Sequence, residues 1–254
     1  MKIAITREVS RSIADCELTH LARTPINVTR ARAQHEHYRA ALHSLGLEVV
    51  CLPEEPNLPD SVFVEDAAIV LDEVALLTRP GADSRRPEVE SIARALEPYR
   101  RLVRIETPAT LDGGDVLVVE KKIFVGQTLR SNEATLAQTR NLLQRLGYEV
   151  IGVPVTECLH LKSGVTQIAE NTLLINPAWI EKKYFDGFDF IEVDPSESFA
   201  ANALLIGEAL IYPSAFTKTW ARLEAAGMRV IAVDADELAK AEGGVTCCSL
   251  IVQR

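Results

Sequence analysis

The sequence predicts one α/β domain spanning 1–254, folded as a five-bladed α/β-propeller of pseudo-fivefold ββαβ-type modules around a central axis. Three observations predict it. Apolar strands recur with similar surroundings at 47–53, 102–106, 149–154, 190–194 and 229–234. With Val49, Val103, Val150, Ile191 and Val230 as markers, the steps are 54, 47, 41 and 39 residues, a loose period in the range of propellers and solenoids. Four of these strands lead through a loop into two more strands joined by a tight turn, and the fifth leads into only one.

The elements follow in order. Met1-Lys2-Ile3-Ala4-Ile5-Thr6-Arg7 reads as a strand, since it has no long apolar region or small-residue cleavage site of a leader. A helix is expected over 29–44, with Gly46 placed to end it. The first strand pair is 61–70 with 74–78, followed by a helix over 87–96. The second is 116–119 with 123–126 across a charged turn, followed by a helix over 132–146 with Asn132 as N-cap and Gly147 as stop. The third is 165–168 with 172–175, turned at Glu170-Asn171. The fourth is 203–206 with 209–212, turned at Gly207-Glu208, and a helix over 217–226 precedes the stop at Gly227. The last repeat has only 249–252. Its missing partner is the strand at 2–6, and pairing the two would close the ring and leave no exposed edge.

A doubly wound sheet is the alternative, but it alternates single strands with single helices, and no G-x-G-x-x-G follows the first strand. No Ser/Gly-rich linker divides the chain.

Composition narrows the function. The chain is 47% hydrophobic and 25% charged with a net charge of −9, which argues against a nucleic-acid partner and suits a cationic small molecule. No apolar run approaches the roughly 18 residues that span a bilayer, so no membrane partner is expected and the location is read as cytoplasmic. The five cysteines, Cys16, Cys51, Cys158, Cys247 and Cys248, are odd in number and lack framework spacing. Cys158-Leu159-His160 and His35-Glu36-His37 depart from zinc-site spacing, so neither metal nor cofactor is expected.

Chemistry-bearing residues fall at corresponding places of the repeat: Glu65-Asp66 in the first, Asp112 in the second, His160 in the third, Asn202 in the fourth and Cys247 in the fifth. All lie in the loop before the inner strand or at its start, so a closed ring brings them to one end of the axis. A thiol becomes a useful nucleophile when a base and an orienting acid are within reach. Each residue alone has a plainer reading: a buried small cysteine, a satisfied core histidine, an aspartate in a glycine turn. Glu65-Asp66 is more telling, because two adjacent acids in a strand-like apolar run are costly to bury without a cationic partner. Cys248 must point away from Cys247 on a strand. Register leaves open which thiol faces the site.

The motifs Leu58-Pro59-Asp60-Ser61-Val62-Phe63-Val64-Glu65-Asp66, Arg79-Pro80-Gly81-Ala82-Asp83-Ser84-Arg85-Arg86, Leu111-Asp112-Gly113-Gly114-Asp115, Leu159-His160-Leu161-Lys162 and Thr246-Cys247-Cys248-Ser249 together resemble the dimethylarginine dimethylaminohydrolase family of the guanidine-modifying (pentein) superfamily. The resemblance covers essentially the whole chain. It implies the five-bladed fold reached above and a hydrolase releasing citrulline and dimethylamine or methylamine from methylated arginine through a covalent cysteine intermediate. It implies Cys247 as nucleophile, His160 as general acid/base and Asp112 as the acid that binds the guanidinium. Asp60, Glu65 and Asp66 would complete an acidic cradle, Arg85 and Arg130 would hold the substrate α-carboxylate, and the carbonyl of Leu18, on a lid-like loop, would accept from the α-amino group.

Two other functions are weighed against this one. An arginine deiminase-like hydrolase of another guanidine uses the same residue types, but is typically longer by a helical domain. A non-catalytic propeller binding protein would lack the Cys/His/acid set. The choice between mono- and dimethylarginine stays open, as does oligomeric state, for which a homodimer is one arrangement.

Overall fold

Five three-stranded sheets follow one another around the structure, a computed structural model that describes residues 2–254. Met1, counted in the expected first strand, lies outside the described residues. Strand β1 (Lys2–Arg7), helix α1 (Val28–Ser44) and strand β2 (Glu48–Leu52) begin the chain. Next come β3 (Ala68–Val70), β4 (Val74–Leu77), α2 (Glu88–Leu96) and β5 (Arg101–Arg104). They are followed by β6 (Val116–Val119), β7 (Lys122–Gln127), α3 (Ala134–Leu143) and β8 (Glu149–Pro154). The fourth group is α4 (Leu161–Gly164), β9 (Val165–Ala169), β10 (Thr172–Ile175) and β11 (Asp189–Glu192). The fifth is β12 (Leu204–Ile206), β13 (Ala209–Pro213), α5 (Thr217–Ala225) and β14 (Arg229–Val233), after which come α6 (Asp236–Ala239) and β15 (Leu250–Gln253).

Four of the five sheets are built alike. A hairpin gives an antiparallel pair, and a crossover returns the chain to add a parallel third strand, as in β3-β4-β5 and β6-β7-β8. The remaining sheet is β15-β1-β2, with β15 antiparallel to β1 in the register Ile3↔Val252 and Ile5↔Leu250. The pairing that closes the ring is therefore present. Hydrogen bonding cuts the repeat one strand earlier than the marker periodicity does: β2 joins β1, not β3, so each marker strand ends a blade.

Alternating side chains lock neighbouring blades together. On β1, Ile3 and Ile5 pack with Ala75, Leu77, Ile92 and Leu96 of the second blade, while Ala4 faces Ile206, Ile211 and Val233 of the fifth. The period-2 alternation of a strand sends its two faces into two different cores. The same sharing recurs between the second and third blades (Leu76 with Ile123), third and fourth (Phe124 with Leu173) and fourth and fifth (Leu174 with Leu210). Each core is held in common by two blades.

Several expectations need correction. The strand expected over 61–70 begins only at Ala68, because residues Val64–Ala67 form a 3-10 turn. That turn keeps Val64 and Ala67 in an apolar core while Glu65 and Asp66 reach different cations. Asn132 does not cap the third helix. Its Oδ1 accepts from Thr110 N at 3.2 Å and its Nδ2 donates to Pro108 O at 2.8 Å, so it ties down the preceding loop and the helix starts at Ala134. The first helix is capped by Asn27, whose side chain accepts from Arg30 N at 3.0 Å. The stops at Gly46, Gly147 and Gly227 have φ of 84°, 81° and 80°, the left-handed geometry that favours glycine. Among the described residues no helix is long and apolar enough to cross a membrane.

Candidate active site

Each blade delivers one segment to the same end of the axis, immediately before its inner strand. Glu65-Asp66 precedes β3, Asp112 to Asp115 precedes β6, His160 precedes β9, Asn202 precedes β12 and Cys247 precedes β15. His160 is the hub. Its Nε2 lies 3.1 Å from Asp112 Oδ2 and its Nδ1 lies 3.9 Å from Asp66 Oδ1. Asp112 is held in turn by Gly81 N at 2.8 Å and by its own N–H donating to Ser131 Oγ at 3.1 Å. Burial alone would push His160 down, but Asp66, Asp112 and Asp115 together carry it up to about 9. The ring is an imidazolium at neutral pH.

Asp66 accepts from Gly114 N at 2.8 Å and from Arg85 Nη1 at 2.6 Å. Burial opposes its charge, yet His160 and Arg85 hold its carboxyl well below the usual carboxylate range. Gly114 is compelled by this packing. A Cβ there would meet the His160 ring and come within 2.8 Å of Asp66 Oδ1.

The structure distinguishes the two adjacent thiols. Cys247 lines the cavities that His160 lines, and Gly244 N donates to its Sγ at 3.3 Å. The Cys248 thiol donates to Gly244 O and packs into the core shared by the first and fifth blades. Burial, followed by the charges of Glu65 and Asp66, pushes the Cys247 thiol up to about 12. In the resting site it is a thiol.

Two other predicted residues have different surroundings from those expected. Glu65 turns toward the axis, where Lys162 Nζ lies 2.5 Å away and Thr246 Oγ1 donates at 2.8 Å. It lines an axial cavity of about 250 Å³ that lies among the inner strands, not the spaces beside Cys247 and His160. Arg85 and Arg130, expected to work as a pair, are also in unlike situations. Arg85 is buried and gives its fork to Asp66, to both oxygens of Glu88, and to the carbonyls of Asp60 and Phe63. Among the described residues the Arg130 side chain hydrogen-bonds only Thr19 Oγ1, at 3.0 Å, with Asp112 3.9 Å away. Asp60 accepts from Glu17 N at 3.0 Å. Leu18 is half-buried on the adjoining segment, and no donor among the described residues meets its carbonyl.

Glu242 is the functional residue the sequence reading missed. Its carboxylate receives the N–H groups of Thr19, His20 and Leu21 at 2.9, 2.6 and 2.7 Å and so clasps the 17–24 segment over the site. Its φ of 59° is unusual for a residue with a side chain. Only its place before Gly243-Gly244 signals it in the sequence. Asp115 was visible as a turn residue, but it buttresses the site by accepting from Thr128, Ser131 and Leu161 N.

Two cavities meet at Cys247 and His160. The inner one has a volume of only about 10 Å³ and is lined by Glu17, Asp60, Asp66, Arg85 and Arg130. An amino acid enters it only if its lining moves apart. The outer one has a volume of about 480 Å³ and is largely apolar. Asp66, Asp112 and His160 also offer ligand atoms within 4.8 Å of one another. A metal needs a neutral imidazole, so a site that raises His160 favours a proton there. A thiol, an imidazolium and paired carboxylates around one point suit nucleophilic attack on a cationic carbon, with the imidazolium protonating the leaving group.

Comparison with known proteins agrees with this chemistry. The family described as N,N dimethylarginine dimethylhydrolase, eukaryotic, matches residues 19–253. A curated N(G),N(G)-dimethylarginine dimethylaminohydrolase of Streptomyces coelicolor is 38% identical over 251 residues, 98% of this chain and 96% of that protein. The enzyme of that name from Pseudomonas aeruginosa, solved as a cysteine-to-serine mutant with citrulline, superposes with a TM-score of 0.94 at 34% identity, covering 98% of each chain. A histidine-to-glycine variant of a dimethylarginine dimethylaminohydrolase, in adduct with S-methyl-L-thiocitrulline, gives a TM-score of 0.93 at 34% identity, covering 99% of this chain and all of the other.

Proposed function

This chain belongs to the dimethylarginine dimethylaminohydrolase family, and from that premise we propose how its own residues perform the reaction. The protein is a C–N hydrolase that converts dimethylarginine to citrulline through a covalent cysteine intermediate. One observation carries the residue assignment: Cys247 and His160 wall the same cavity while Asp66 and Asp112 grip the imidazole from either side.

The substrate α-carboxylate pairs with Arg130, whose only carboxylate partner among the described residues is Asp112 at 3.9 Å, by the fork geometry natural to arginine. The α-amino group donates to Leu18 O and Asp60. Arg85 acts by holding Asp66 in place, and Glu65 by fixing Lys162 and Thr246 beside the nucleophile. The guanidinium lies against Asp66 and Asp112.

Its arrival offsets the negative charges that raise Cys247, and the thiol proton passes to solvent. The thiolate attacks the guanidinium carbon, and the bond to the methylated nitrogen breaks as His160 gives that nitrogen its proton. A thiouronium remains on Cys247. Neutral His160 then takes a proton from water, the hydroxide adds to the same carbon, and cleavage of the C–S bond frees citrulline.

The whole of 1–254 acts as one catalytic unit, because all five sheets present residues to the site. Five free cysteines fit a reducing compartment such as the cytoplasm. The test is citrulline release by the purified protein from asymmetric dimethylarginine and, separately, from arginine. Turnover of the first with little of the second is expected. Preference for arginine would instead make the protein a compact deiminase.

A further inference from the structure

The reaction just described needs room for two methyl groups beside the scissile bond, and the structure offers far more. The charged inner cavity is lined by Arg130, Asp60 and Asp66, three of the residues assigned to the amino-acid portion and the guanidinium. The outer cavity begins where that one ends, at the shared residues Leu159, His160, Glu242, Gly243 and Cys247, and continues between Leu21, Phe199, Pro213, Phe216, Ala235 and Ala239. A linear arginine anchored by its α-end in the first points its terminal nitrogen, and whatever that nitrogen carries, into the second.

The charged groups on the outer wall are already engaged. Lys162 is bound to Glu65, and Lys240 to Glu237 and Pro25 O. Asp236 accepts from Arg30 and Gln34, while Glu242 is occupied by the backbone of the 17–24 segment. None of these carboxylates or ammoniums is left to recognise a charged substituent. The rest of the wall is mostly aliphatic and aromatic, with His20, Thr24, Ser163 and Asn202 among it, around a volume of about 480 Å³, within the range that buries a drug-sized ligand.

We infer, resting on the proposed function, that the outer cavity is a leaving-group pocket and that the protein hydrolyses arginines whose ω-nitrogen carries an apolar chain several carbons long. Atoms balance as in the parent reaction. Cys247 Sγ bonds to the guanidinium carbon, the bond to the alkylated nitrogen breaks, and His160 supplies the proton with which the alkylamine departs. Water then displaces the thiolate, giving citrulline plus a primary or secondary alkylamine. A tight methyl-sized site would reject each added methylene, whereas an apolar pocket accepts them with a modest gain apiece.

The experiment compares kcat/KM for citrulline release from asymmetric dimethylarginine and Nω-butyl-L-arginine, with butylamine measured as the second product. Values within about tenfold of each other are expected. Ala215→Trp and Ala239→Trp, each on the wall of the outer cavity and not of the inner one, should cut turnover of the butyl substrate at least about tenfold and leave dimethylarginine turnover unchanged. Unchanged dimethylarginine turnover also shows that the variants fold. Brisk turnover of dimethylarginine with a butyl value more than about a hundredfold lower would overturn the inference and leave the proposed function standing. So would tryptophan variants that alter neither substrate. Failure of wild-type protein on both substrates would bring down the proposed function itself.

Discussion

At the scale of single residues, the site separates two protons that the reaction must later exchange. His160 keeps its proton because Asp66, Asp112 and Asp115 surround it, and Cys247 keeps its own because burial, Glu65 and Asp66 disfavour a thiolate. Alkylation of Cys247 by iodoacetamide, followed by mass spectrometry, should therefore accelerate toward pH about 12 rather than near the ordinary thiol value of about 8.5. A midpoint near the ordinary value would show that the acids do not act on it. Cys247→Ser should abolish citrulline formation while Cys248→Ser keeps most of it. The reverse result would move the nucleophile. The raised value of His160 means its imidazolium supports folding fully below pH about 6.5, and this contribution is lost as pH rises through about 9. Thermal stability should fall across that window, and the alkaline fall in kcat/KM, as His160 loses its proton, should be centred near pH 9. In Asp112→Asn the alkaline fall in kcat/KM should move to lower pH, as a pH profile of the variant will show.

At the scale of elements, short turns do the positioning. The Gly113-Gly114 turn brings Asp66, Asp112 and His160 together because no side chain stands between them. Gly114→Ala should cost about 1–3 kcal/mol in denaturant unfolding by overpacking and depress kcat by far more than that loss explains. Equal small effects on both would show that the turn has slack. The clasp on the 17–24 segment makes a second prediction. Glu242→Ala leaves three backbone donors without their acceptor, so amide exchange at Thr19, His20 and Leu21 should quicken and KM should rise. Unaltered exchange would mean that the segment is held by something else. Most elements were legible in the sequence because strand pairs with tight turns and glycine helix stops are local signals. The 3-10 turn under Glu65-Asp66 was not, since what bends the chain there is two cations distant in sequence, Lys162 and Arg85. Glu242 was illegible for the same reason: its partners lie more than two hundred residues away. The triad was legible because the repeat supplied its register, and the division of labour between Arg85 and Arg130 was not, because Glu88 lies in an ordinary helix start.

At the scale of the molecule, closure depends on β15 meeting β1. Joining β15 to β1 through a short linker and opening the chain at Gly187, an exposed turn residue with a φ of 86° and open space where a side chain would stand, should preserve both fold and citrulline release. An inactive but folded permutant would show that this turn matters to the site. Because every core is shared by two blades, unfolding should be a single transition, with circular dichroism and tryptophan fluorescence from Trp179 and Trp220 coinciding. The arrangement of one segment per blade has a further result. The ring behaves as a holder with five sockets, each taking its own tool, and the sheets behind them stay alike whichever tool is fitted. Exchanging the thiol tip alone would turn a cutter of guanidinium compounds into a receptor for them. New chemistry on this scaffold therefore requires replacing a tip, not rebuilding the wheel that carries it.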